Sequence, residues 1–454
     1  MNQSLAKFIF YILTSIRGEH VFKRLKELEK NQYLPLTEIK NIQWNKLKSL
    51  IEFAYNNSAF YQERFKKVGI TPGQINNSDD LLKIPILTKE ELKANYKNIL
   101  IRKNHQFLFT AKTSGSSGIP LKFYRDGQTF GYALAAMYRG HRWHNIDIGA
   151  KEALLWGIPV NTKDRLIVRV KDIILNRFRE KNFDVTDDTF MHFFKMMERY
   201  KPSYLKGYSS MVYLFALFVS EKKLDGKKLK LKMVKCTSES IPDYQRAFIE
   251  TEFNCPVVSE YGAAEAGIIA FECPQKNYHI MADCYYIEFK NIKGISTNLK
   301  KVIVTDLHNY ITPIIRYDIG DLGLPSDKEC GCEIKLPLLK ELIGRTSSVV
   351  MAENGKLFHS IIFYYIMKGL ESMGGGVKQF KVYQKTPSKL VLEIVKGNNF
   401  SESTISYIDD KIKQYLGENM LIDYQFVENI TREESGKIRD FVSELSIDEM
   451  NRLA

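Results

Sequence analysis

The stretch TSGSSGIPLKF, Thr113–Phe123, opens with four hydroxyl residues and two glycines in six positions, then runs through a proline to a lysine. Neither a helix interior nor a strand interior favours that composition, because Ser and Thr compete for backbone hydrogen bonds and Gly costs entropy. Short apolar runs flank it, FLFTA (Phe107–Ala111) before and LKFYRD (Leu121–Asp126) after. Both read as strands, so the stretch reads as a structured loop between two strands rather than a spacer. Backbone N–H groups in a glycine turn, joined by several hydroxyls, can cradle phosphate oxygens. The spacing before Lys122 is not that of a Walker A loop.

Beyond the loop, GQTFGYALAAMYRGHRWHN reads as a helix and EALLWGIPV (Glu152–Val160) as a buried strand. Strand and helix patterns then alternate through SYLKGYSSMVYLFALFVSEKK, KLKMVKCTSES, IPDYQRAFIETEF and VVSEYGAAEAG. That alternation predicts an α/β sheet, mainly parallel over residues 100–270, with sites at the carboxyl ends of its strands. Residues 1–100 read as mostly helical, with Thr88 and Glu91 spaced as a capping box. From Tyr285 to Leu342 the pattern is β, and TPIIRYD reads as a buried strand leading into Arg316, Asp318 and Asp321. Past Arg345 comes a small α+β unit containing the hairpin VVMAENGKLF, with Asn-Gly at its turn. The fold expected is α/β: a large multi-layer N-terminal domain over 1–345 and a small α+β C-terminal domain over 346–454.

Composition sets outer limits. The chain has 454 residues, 44% hydrophobic, with a net charge of +13, which fits a soluble globular protein with a sizeable core. The basic residues are spread along the chain. The run KKLKLKMVK (Lys227–Lys235) alternates like an edge strand with one wet face. No zinc-finger spacing or RNA-recognition signature occurs, so nucleic acid is not an expected partner. The apolar run Phe8–Ile16 is too short to span a bilayer and lacks a cleavage pattern. It reads as a docked amphipathic helix; the alternative is a helix on an anionic membrane surface, helped by the basic HVFKRLKELEK that follows. Six cysteines are no disulfide framework at this length, so a reducing cytoplasm is expected, with membrane association as the alternative.

Further motifs follow the loop in order. In SEYGAAEAG (Ser259–Gly267), Tyr261 beside Gly262 can stack on a purine, and Glu265 can hold Mg²⁺. In TPIIRYDIGDLG (Thr312–Gly323), Asp321 can accept from two sugar hydroxyls. Gly344–Arg345 stands at the boundary of two sequence textures, and EESGKIRD (Glu433–Asp440) carries Lys437. Each alone has a bland explanation as a turn or a surface side chain.

Together, TSGSSGxPxK, YGxxE, RYDxGD, GR and SGKIRD resemble the adenylate-forming superfamily along essentially the whole chain. The RYD variant, AFYQERF, PILTKEEL and the short C-terminal unit look most like the phenylacetate–CoA ligase branch, which includes capsular polysaccharide biosynthesis relatives. The resemblance implies an N-terminal adenylation domain and a mobile C-terminal domain turning about Arg345–Ser347. It implies that Thr113, Ser114, Gly115, Ser116, Ser117 and Gly118 wrap the outer phosphates of ATP, with Lys122 nearby. Tyr261 and Gly262 would meet adenine, Ser238 and Glu239 would line its pocket, and Glu265 would bind Mg²⁺. Asp321 and Arg345 would hold the ribose, and Lys437 would bridge the attacking carboxylate and the α-phosphate. The family pattern has an acidic residue or a lysine shortly after GR; here Thr346, Ser347 and Ser348 follow.

The implied activity is ATP- and Mg²⁺-dependent activation of a carboxylic acid, releasing pyrophosphate, then acyl transfer to CoA or another thiol or amine acceptor. The acid pocket is expected near Trp156–Asn161 and Ser203–Tyr208. Alternatives are attachment of an acid to a sugar amine in capsular or O-antigen synthesis, a non-catalytic nucleotide-binding module, and a phosphotransferase. Separately, Cys273, His279, Cys330 and Cys332 form a set suited to tetrahedral zinc, with unligated buried thiols as the alternative. Cys236, Cys255 and Cys284 read as core residues, and the His pair in HRWH as packing.

Overall fold

A computed structural model describes residues 1–101, 108–112, 122–155, 165–179, 186–239, 241–291, 300–345, 349–370, 376–397, 399–432 and 440–445. The strands are β1 (Leu108–Lys112), β2 (Lys122–Asp126), β3 (Glu152–Leu155), β4 (Arg177–Arg179), β5 (Tyr204–Tyr208), β6 (Met233–Thr237) and β7 (Val257–Ala263). They continue with β8 (Gly267–Glu272), β9 (Tyr278–Ile280), β10 (Tyr285–Asn291), β11 (Lys300–Asp306), β12 (Tyr317–Ser326) and β13 (Leu338–Arg345). The last six are β14 (Val349–Met351), β15 (Leu357–His359), β16 (Val377–Thr386), β17 (Lys389–Lys396), β18 (Leu421–Phe426) and β19 (Phe441–Ser443). Strands β3 to β13 join one sheet in the order β10-β11-β12-β13-β9-β8-β7-β6-β5-β3-β4.

Half of that sheet is parallel: β4, β3, β5, β6 and β7 run together, with helices crossing between them. The turn at Ala263–Gly267 reverses the chain, and β8 pairs antiparallel with β7. Gly262 is required by that reversal, since a Cβ there would stand 2.5 Å from the Gly267 carbonyl oxygen. The expected mixture of a parallel half and a β half is therefore present. One core lies between the sheet and the helices Val21–Asn31 and Gly127–Trp143, a second under the helices Asp187–Tyr200, Ser209–Glu221 and Asp243–Phe253. Arg139, fully buried, donates two hydrogen bonds of 2.8 Å to the equally buried Asp283 carboxylate, clamping the Gly127–Trp143 helix to the turn before β10.

The N-terminal hundred residues are helical, and the capping box is made: Glu91 N–H donates to Thr88 Oγ1 at 3.1 Å, and the Glu91 side chain accepts from Thr88 N–H. This segment forms a third core with residues 307–317. Two expectations are corrected. TPIIR is buried but is not a strand; β12 starts at Tyr317, because Arg316 has φ +53° and turns the chain. Its guanidinium ties Glu288 to the carbonyls of Leu81, Leu82 and Ile84, so Arg316 is a structural staple for the helical segment.

The run at Lys227–Lys235 is not an edge strand. Its first part is a 3₁₀ turn, Gly226–Leu229, and its end is β6, between β5 and β7 and buried on both faces. Lys235 is tolerated there because its Nζ donates to Glu260 Oε2 and to His141 Nε2, each at 2.8 Å. Burial lowers its pKa to about 8 against the pull of Glu260, and pushes His141 well below its usual range, so the imidazole accepts as a neutral ring. The other histidine of HRWH, His144, bonds the Glu272 carbonyl at 2.8 Å. Cys236, Cys255 and Cys284 are buried, as expected.

The C-terminal unit is a second sheet, β18-β17-β16-β19, packed on the helices Ile361–Gly369 and Glu402–Leu416. The expected hairpin is β14 with β15, and Gly355 at its turn has φ +78°.

Candidate functional site

The opening loop, Thr113–Gly118, lies outside the described residues, but its supports do not. β1 and β2 pair antiparallel, Lys112 opposite Lys122, so the loop joins two strands as expected. Arg125 of β2 donates from Nη2 to the Ala264 carbonyl at 2.8 Å. That bond ties the base of the loop to the turn that carries Glu265.

Three side chains expected to act together meet at this end of the sheet. Tyr261 Oη donates to Asp321 Oδ2 at 3.0 Å, although β7 and β12 are far apart in strand order. Burial and the Asp321 carboxylate push the Tyr261 phenol well above its ordinary range, so it stays a donor. Glu265 is buried, and its Oε1 accepts from Tyr317 Oη at 3.2 Å. The carboxylate is thereby held at this end of the sheet, and carboxylate oxygens are the ligand type a hard cation takes. Across β12 and β13, Asp321 stands opposite Arg345, which brings the Gly-Arg boundary to the same place.

The parallel strands supply the other side. Ser238 follows β6 with φ +68°, and Glu239 reaches the start of the Ser209–Glu221 helix, where Ser210 N–H donates to its Oε2 at 2.9 Å. A carboxylate is favoured at a helix N-terminus by the helix dipole. Ser209 Oγ also donates to the Glu239 carbonyl at 3.0 Å.

The site also recruits a residue that sequence reasoning missed. Arg432, from the C-terminal unit, donates from Nη1 to Ser210 Oγ at 2.9 Å. Burial lowers its pKa while Glu239 and Tyr208 pull it back up, so it sits among the strand-end residues. Lys437 lies outside the described residues, as do Thr346, Ser347 and Ser348. The Asp440 carbonyl accepts from Val382 N–H in the C-terminal sheet at 2.8 Å. Nothing in the sequence around Arg432 marks it as a docking residue.

Asp306, at the end of β11, is buried and is pushed up to about 7 by desolvation, against the pull of Arg125. The His308 N–H also lowers it, and Asp126 raises it. The folded state therefore holds a proton that the unfolded state releases near pH 4. Stability from this group is present below pH 4 and lost as pH rises through about 7. Asp306→Asn is expected to remove that slope, gaining on the native chain by on the order of 2–4 kcal/mol between pH 4.5 and pH 8. Urea unfolding at both pH values checks it; parallel slopes in the two proteins would refute the assignment.

A second cluster stands away from this site. Ligand atoms of Cys273, His279, Cys330 and Cys332 all lie within 4.8 Å of one another. Cys273 Sγ is 3.7 Å from Cys330 Sγ, and Cys332 Sγ is 3.2 Å from His279 Nε2. Those are near the edges of a tetrahedron about a zinc ion, about 3.8 Å for two thiolates. His279 Nδ1 bonds the Leu336 carbonyl at 2.9 Å, which leaves Nε2 for a metal. The pairing of β9 with β13, His279 opposite Leu338, brings the two halves together. Cys273 follows the far end of β8, so the cluster is about 20 Å along the strand from the Gly267 turn. Its place fits structural support of the β half.

These strand ends, the paired Tyr261 and Asp321, and the separate C-terminal unit define a class: the fold is that of the adenylate-forming ligases. A crystal structure of 2-hydroxyisobutyryl-CoA ligase in the postadenylation state, complexed with R3-HIB-AMP, superposes with a TM-score of 0.73 over 94% of this chain and 93% of that one, at 17% identity. The amide bond synthetase McbA from Marinactinospora thermotolerans gives 0.52 over 74% and 68%, at 14% identity. More particularly, the chain is similar to Protein CapK of Staphylococcus aureus, 21% identical over 442 residues, covering 94% of this chain and 95% of that protein. Residues 350–444 match the CapK C-terminal domain. The family resemblance drawn from the motifs is borne out.

Proposed function

We propose that this chain is an AMP-forming ligase that activates a carboxylic acid with ATP, releases pyrophosphate, and passes the acyl group to a thiol or amine. The observation that carries the reading is the meeting of Tyr261, Asp321 and Glu265 at one sheet end, with Arg432 drawing the C-terminal unit onto the neighbouring strand ends. The fold shared with ligases named for acyl-CoA and amide formation supports it. In this reading Thr113–Gly118 and Lys122 hold the outer phosphates, Tyr261 and Gly262 face the adenine, and Ser238 and Glu239 border it. Asp321 and Arg345 hold the ribose. Glu265 holds Mg²⁺, which when bound offsets the repulsion between carboxylate and phosphate. Lys437 arrives with the C-terminal unit, and closure of the two units keeps water from the activated acid.

The similarity to Protein CapK favours a narrower second reading, in which the acceptor is a sugar amine in surface polysaccharide synthesis. We also infer that Cys273, His279, Cys330 and Cys332 hold a structural zinc ion. The reaction is tested by incubating the full chain with Mg·ATP and a panel of carboxylic acids, then with CoA or amino sugars. Acid-dependent AMP and pyrophosphate are expected. ADP and phosphate would make it a phosphotransferase, and no release with any acid would favour a binding module.

A further inference from the structure

The helix Gln3–Ile16 has two apolar faces. One is docked: Ala6, Phe10 and Thr14 are buried, and Phe10 packs edge-on to Tyr138 at 5.5 Å. The other is not. Leu5, Phe8, Ile12 and Ile16 form a stripe at i, i+3, i+7 and i+11, flanked by Tyr11, and all five are 39–64% exposed. The helix Arg165–Ile174 touches it and continues the surface with Ile167, Val170 and Ile173, 48–66% exposed. These two helices hold eight of the sixteen exposed large hydrophobics among the described residues, so the patch is concentrated rather than scattered.

Charge narrows the occupant. The first helix has no carboxylate. The second has only Asp172, which is buried and held by Arg177 and Arg179, each with its Nε at 2.7 Å. Arg169 and Lys171 are exposed. A symmetric pairing with a second copy would bring these cations together with no carboxylate from either helix to pair them. Lys7 of the first helix is paired with Asp147, so the unpaired exposed charges that these two helices present beside the stripe, among the described residues, are the cations Arg169 and Lys171, which suits a surface whose interior is hydrocarbon and whose headgroups are anionic. Among the described residues, no helix is long and apolar enough to cross a membrane, so the geometry is that of a helix lying in the interface.

We propose that the face built by Gln3–Ile16 and Arg165–Ile174 docks the protein on an anionic lipid bilayer. The proposal is independent of the reaction. The full chain is to be sedimented with phosphatidylcholine vesicles and with vesicles containing about a third phosphatidylglycerol; at least about tenfold stronger binding to the anionic vesicles, weakened by salt, is expected. Phe8→Glu with Ile173→Glu should lower that binding about tenfold or more, and Arg169→Gln with Lys171→Gln should erase the preference for anionic lipid. All four positions are exposed, so each variant should melt with the native chain, which circular dichroism checks. Equal binding by native chain and glutamate variant would overturn the proposal. So would absence of vesicle binding, whether the chain is monomeric or a dimer that Phe8→Glu dissociates.

Discussion

Lys437→Ala is expected to lower acid-dependent pyrophosphate release by roughly 10²–10³-fold while leaving ATP binding nearly intact. The proposed reaction brings a carboxylate to a phosphate, two anions, and the repulsion would peak as they join. A cation delivered to that point stabilises the transition state more than bound ATP, so its loss falls on the chemical step and not on nucleotide affinity. Arg432, five residues before Lys437, bonds Ser210 beside Glu239, which in the proposed mechanism would help that delivery. Asp440, three residues after, joins the C-terminal sheet. In sequence, Lys437 thus falls between Arg432, bonded at the strand ends of the large domain, and Asp440, bonded to β16. Single-turnover pyrophosphate release and ATP titration, run on both proteins, separate the two effects. Equal turnover in native chain and variant would remove Lys437 from the mechanism.

Local grammar was the part of this fold most readable in advance. The Thr88–Glu91 cap, the Asn354–Gly355 hairpin and the strands either side of Thr113–Phe123 each depend on residues close in sequence, where spacing and turn chemistry decide. Side-chain partners were less readable, because they depend on which strand lies beside which. Lys235 alternates with apolar neighbours, which in an edge strand means water; here the same alternation faces Glu260 and His141 inside the sheet. Arg316 stood in the RYDxGD pattern at the end of an expected strand and is a staple, since its partners are some 230 residues earlier and at Glu288. Arg432 and Arg125 carry no local signature, and both act by reaching across the fold. The first helix was ambiguous for a related reason: its apolar run fits a docked helix or one on a membrane surface, and only packing shows which side chains are covered.

The proposed zinc site at Cys273, His279, Cys330 and Cys332 carries the second large effect. Native chain prepared without chelator is expected to hold one zinc per molecule by elemental analysis, and Cys330→Ser to lose it. Cys330 stands 3.7 Å from Cys273, yet the two are 57 residues apart, so a metal between them closes a long loop in the β half. Without the ion, the cluster keeps only hydrogen bonds across these segments, His279 Nδ1 with the Leu336 carbonyl and Asn277 Nδ2 to Cys330 Sγ, and its thiols are left packed against one another. Loss of the metal should therefore cost on the order of 4 kcal/mol or more of stability, read as a fall in urea midpoint. Cys255→Ser is the control: Cys255 is buried elsewhere, beside Phe253 and Val257, so it should leave zinc content unchanged whatever it does to stability. Because the cluster lies at the opposite end of β8 from the Gly267 turn, metal loss should act through folding, and any Cys330→Ser protein that stays folded should keep its affinity for ATP. A native chain without zinc, unfolding at the same urea concentration as Cys330→Ser, would leave four packed side chains and no metal centre.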